Sequence, residues 1–89
     1  MADVSVADLA QAKTAVGALL EELGLSAYLF AVEPREGAWA VIVECATDSG
    51  WQRSELQAGA ELLAGLGDPA ARAELLDQWR AHLAACKTD

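Results

Sequence analysis

Two thiols and one imidazole are the residues best suited to chemistry in this chain: Cys45, Cys86 and the single histidine, His82. His82 and Cys86 stand four residues apart, which puts both on one side of a helix, and Cys45 could approach them as a third ligand. Thiolate and imidazole suit Zn²⁺. A closed structural zinc site takes four ligands, however, and usually shows a C-x-x-C knuckle that this chain lacks. As a nucleophile a cysteine would need a depressed pKa, a base within reach and an orienting group, and neither His82 nor Cys86 falls at a helix start. The simpler reading makes Cys45 and Cys86 small buried hydrophobes and leaves His82 on a partly exposed helix edge. Two cysteines are too few for a disulfide scaffold, and we expect reduced thiols in a cytoplasmic protein.

The carboxylates give a second candidate. Glu33 and Glu44 are expected on one face of a sheet, as the polar ends of an otherwise apolar surface, where a pair could serve as general acid and base. The commoner role of such residues is to keep a sheet from pairing indiscriminately. Gly65-Leu66-Gly67-Asp68 resembles a phosphate loop only in its glycines, because it follows a helix and lacks the third glycine and the Gly-Lys-Ser/Thr ending. We therefore expect no catalytic residue and no cofactor, and no metal beyond what Cys45, His82 and Cys86 could hold.

The elements that would position these groups are legible from periodicity. Large apolar residues at 6, 9, 16, 19, 20 and 23, with Ala12 among them, form a helical stripe from Val6 to Leu23. Ser5 and Asp8 have capping-box spacing at its start, and Gly24-Leu25 supplies a Schellman-type stop. From Ala27 to Glu33 and from Ala38 to Ala46, β-branched and aromatic residues take over. Pro34-Arg35-Glu36-Gly37 between them reads as the turn of a hairpin.

Pairing Glu33 with Ala38 sorts this hairpin into two faces. Tyr28, Phe30, Val32, Trp39, Val41, Val43 and Cys45 make a core face. Leu29, Ala31, Glu33, Ala38, Ala40, Ile42 and Glu44 make the other, apolar in its middle at Leu29, Ala31, Ala40 and Ile42 and polar only at its ends, with Glu33 and Glu44. An antiparallel sheet with one face in water would alternate polar residues throughout that face. Here something is expected to cover it.

Trp51-Gln52-Arg53 could add a short third strand. Ser54-Glu55-Leu56-Gln57 has the spacing of a capping box, so a second helix is expected from Ser54 to the glycines at 65–67, with Leu56, Leu63 and Leu66 on its buried face. Asp68-Pro69 places an N-cap before a proline at the first helical position. The third helix then runs to about Cys86, burying Leu75, Leu76, Trp79, Leu83 and Cys86. The expected fold is a single α+β domain over residues 1–89: helix, antiparallel hairpin, then two helices on one face of a small sheet that dimerisation completes.

Composition bounds the function. The net charge is −8, from 14 acidic against 6 basic residues, and the basic ones are scattered. Nucleic acids and anionic membranes are bound by clustered Lys and Arg, so neither is expected as a partner. No run approaches the length of a membrane span, and no secretory leader is expected, because the first residues lack its basic and apolar regions. With 20 alanines and 13 leucines the core is thin for its length, a shortfall that association often makes good. Three tryptophans add to this, since aromatics concentrate at interfaces.

The expected function is that of a small acidic, non-catalytic interaction protein (adaptor, assembly chaperone or accessory subunit). It would act through Leu29, Ala31, Trp39, Ala40, Ile42 and Trp51, as a homodimer or on a protein client. The alternatives are a ligand pocket or enzyme site between sheet and helices, lined by Glu44, Cys45 and His82, and a metal or redox sensor built from Cys45, His82 and Cys86.

Overall fold

The computed structural model describes residues 6–59, 61–64 and 67–88. Helix α1 (Val6–Leu23) is followed by strands β1 (Tyr28–Arg35), β2 (Ala38–Thr47) and β3 (Gly50–Ala58), then by a single helical turn, α2 (Glu61–Ala64), and helix α3 (Pro69–His82). The strands form one antiparallel sheet in the order β1-β2-β3. The architecture is therefore α+β, as its sequence implies, with an open three-stranded sheet.

Helix α1 buries Ala12, Ala15, Val16, Leu19 and Leu20, the stripe expected from periodicity, and Leu9 and Leu23 pack at its margin. It stops at Gly24, whose φ of +75 lets the chain reverse and whose N–H donates to the Glu21 carbonyl at 3.1 Å. The Ser5 cap lies outside the described residues.

The hairpin turn is tighter than expected. Arg35 pairs with Ala38, so Glu36 and Gly37 alone make the turn, both with positive φ (51 and 78), as a type I′ connection demands. Glu33 thus faces Ala40 instead of Ala38. This two-residue slip leaves each residue on its expected face, because side chains alternate with a period of two.

The second helix is the main correction. Ser54, Glu55, Leu56 and Gln57 do not cap a helix; they continue β3, which pairs with β2 from Thr47↔Gly50 to Trp39↔Ala58. The third strand thus has nine residues instead of three. Ladder bonding to β2 and burial of Leu56 and Ala58 outweigh a capping pattern worth about 1 kcal/mol. The reduced α2 still buries Leu62, and the Glu61 carboxylate accepts from the Gly59 N–H at 2.8 Å. Ala60, Leu66 and most of the glycine stop fall outside the described residues.

Helix α3 begins as expected: the Asp68 carboxylate accepts from the Ala70 N–H at 3.0 Å, and Pro69 sits in the first turn. It ends earlier, at His82, with Leu83 donating to the Trp79 carbonyl at 2.8 Å. Leu75, Leu76, Trp79, Leu83 and Cys86 are nonetheless all buried. They join Val32, Trp39, Val41, Val43, Cys45 and Leu56 from one face of the sheet in a single core. No helix among the described residues is long and apolar enough to cross a membrane.

Candidate functional site

The two cysteines are not thiols. Cys45, near the end of β2, and Cys86, four residues beyond α3, form a disulfide with Cα atoms 5.6 Å apart, inside the usual span for such a bond. Each was expected to be buried, and each is, at 1% and 6% exposed. Their sulfurs are bonded to one another, so the expected reduced thiols and the Cys45, His82, Cys86 ligand set are corrected together. His82 is exposed beside Gln57 and Trp79. No group of three His, Cys, Asp or Glu that could hold a metal occurs among the described residues.

Backbone bonds reinforce the disulfide. The Lys87 N–H donates to the Ala46 carbonyl at 2.8 Å, and the Lys87 carbonyl accepts from the Ser26 N–H at 2.9 Å. Leu25 and Thr88 form an isolated bridge. The tail is thus laid as a short extra strand against the segment before β1 and the end of β2.

The pocket expected between sheet and helices does not assemble. Cys45 points into the core, Glu44 points to the opposite face, and His82 stands on the rim of a separate surface depression near β3. No chemistry unites the three. Glu33 and Glu44 do share a face and a groove.

The face that carries them is the most distinctive surface of the molecule. Helices α1, α2 and α3 pack against the other side, and no described helix covers this side of the three strands. Along β1 it presents Leu29, Ala31, Glu33 and Arg35, along β2 Ala38, Ala40, Ile42, Glu44 and Ala46, and along β3 Trp51, Arg53, Glu55 and Gln57. Leu29 and Trp51 are each 63% exposed. Ala31 is exposed and Ile42 half-buried.

Two residues expected on this surface contribute nothing to it. Trp39 is 6% exposed and packs in the core, as the alternation of β2 requires. Ala40 lies on the open face yet is 1% exposed. It is flanked by Glu33 and Gln57, and the Arg35 side chain, which starts on β1 opposite Ala38, reaches across β2 past the Ala40 row to an ion pair with Glu55 on β3. Arg35 also pairs with Glu33 at 3.3 Å. The bond to Glu55 is the chief cause of a guanidinium pKa pushed above its usual value.

One end of the open face is therefore closed by an ionic strap and the other is apolar. Between them lies a groove of about 280 Å³, formed by Leu29, Ala31 and Ile42 with Glu33, Glu44 and Arg53 around them. Sequence reasoning missed the strap, because Arg35 was assigned to the turn. The turn's shortness, readable from the adjacent Glu36-Gly37, was the signal that could have placed it on the strand.

No family model matches this chain, nor does any curated protein or solved structure.

Proposed function

We propose that this is a small, acidic, non-catalytic interaction protein, an adaptor, accessory subunit or assembly chaperone, that binds protein through the open face of its sheet. The observation that carries this reading is the exposure of Leu29 and Trp51, each 63%, on a face that no described helix covers. An indole left in water on the same sheet face as an exposed leucine and an apolar groove is typical of an interface awaiting its partner. The groove sets apolar walls among the charged side chains of Glu33, Glu44 and Arg53, a mixed lining that suits a protein surface.

The disulfide bears on the setting. A buried bond of this kind persists where thiols are not kept reduced, which supports an oxidising setting for the molecule.

The test compares the wild type with Leu29→Glu/Trp51→Glu, and with Gln78→Glu on α3 as a control. Light scattering at micromolar concentration gives the assembly state, and quantitative affinity capture gives the proteins bound. The face variant should lose its assembly or its captured protein at least about tenfold, a modest demand for a tryptophan anchor, while the control keeps both. A wild type that is monomeric and captures nothing sinks the reading, and so does a face variant that behaves like the control.

A further inference from the structure

Resting on the open-face reading, we propose that the occupant of this face is a second copy of the chain, held by reciprocal insertion of Trp51 from each copy into the groove of the other.

The face carries both halves of the contact. Trp51 lies at the start of β3 opposite Ala46, whose methyl group gives the indole little to pack against, and the residue is 63% exposed. The groove is displaced from it toward β1, with Leu29, Ala31 and Ile42 supplying apolar walls. A projecting group and a complementary hollow at different places on one face are what an isologous pair requires. A two-fold axis lying in the interface and running between them seats both indoles at once. The indole N–H is a donor without acceptor capacity, and the carboxylates of Glu33 and Glu44 beside the groove are acceptors.

Charge selects the same occupant. The chain carries −8, yet the open face holds two arginines against three glutamates, so most of the negative charge lies elsewhere. A basic client would be drawn to the acidic helical side. The nearly balanced face is the one by which two copies of so acidic a molecule can meet with little repulsion. Arg53 and Glu44 are opposed in register, and neither belongs to any of the ion pairs among the described residues. Each is free to pair with its opposite across the two-fold.

The experiment splits the contact into halves. Trp51→Ala removes the projection and keeps the groove; Ala31→Trp fills the groove and keeps the projection, and Leu29→Trp is a second groove-filling variant should the first fail to fold. Circular dichroism and melting establish that each is folded, and sedimentation at micromolar concentration reads the dimer. The wild type should be dimeric, and each variant alone should dissociate at least about 30-fold more readily. An equimolar mixture of Trp51→Ala with either groove-filled variant should form more dimer than any variant alone, since the mixed pair retains one indole in one open groove.

A monomeric wild type overturns the proposal, as does a dimer indifferent to these variants or a mixture no tighter than its components. The broader reading is then judged separately by client capture. Loss of a client on Leu29→Glu/Trp51→Glu with a monomeric wild type means that the face belongs to another protein and not to a second copy.

Discussion

Glu36 is the sole non-glycine residue among those described with a left-handed backbone, and it is followed by Gly37 with the same handedness. A side chain with a Cβ resists this conformation by about 1–2 kcal/mol, whereas asparagine accepts it more readily. Nothing lies within 4 Å of a Cβ built on Gly37, so a substitution there meets strain in the backbone and no clash. Glu36→Asn should therefore raise stability by about 0.5 kcal/mol, and Gly37→Ala should lower it by about 1 kcal/mol. Urea unfolding of the pair checks both signs; equal effects in the same direction would contradict a type I′ turn. The tryptophans teach a related lesson at this scale. Trp39 and Trp51 both adjoin turns in the sequence, but parity along β2 sends Trp39 inward, while Trp51 pairs with Ala46 and is turned outward. Strand parity, once the third strand is recognised, separates the anchor from the core residue.

At the scale of elements, legibility followed the number of independent signals. Helix α1 has a stripe and a glycine stop, α3 has a cap, a proline and a stripe, and the hairpin has two β-rich runs with glycine between them. Each formed, α1 with the expected bounds, α3 stopping short at His82 and the hairpin closing through a two-residue turn. The segment 54–57 offered only one short pattern, Ser-x-x-Gln before leucines, and that pattern is also compatible with a strand whose alternate residues Ser54, Leu56 and Ala58 face inward. Cross-strand pairing with β2 is a long-range gain that local spacing does not reveal. Gln57→Thr tests the assignment. On the exposed side of a strand opposite Ala40 a β-branched residue should stabilise by up to about 0.5 kcal/mol. In a helical first turn the same change would lose the cap and destabilise. A melting shift upward supports the strand.

Over the whole molecule, the disulfide and the tail determine how the two ends of the structure are joined. Burial of both cysteines followed from their places on a core-facing strand and a helical stripe, but their bonding did not, because 41 residues of separation carry no information about distance. A loop of that size implies a contribution of about 2–4 kcal/mol in most proteins, largely through the unfolded chain. Cys45→Ala/Cys86→Ala should lower the unfolding free energy by that amount, and thiol reductant should do the same to the wild type without further effect on the variant. Reductant that leaves the wild-type transition unmoved would count against the bond.

The same bond has a mechanical meaning. When the chain is pulled from its ends, force passes from Cys45 directly to Cys86, and β3, α2 and α3 lie inside a covalent ring that the pull does not reach. In single-molecule stretching the oxidised protein should fall short of the reduced one by roughly 150 Å of contour, the extended length of the bypassed segment. Under load α1 and β1 peel away first. What remains is a covalently closed loop carrying Trp51, spared the pull but deprived of most of the β2 residues with which β3 pairs.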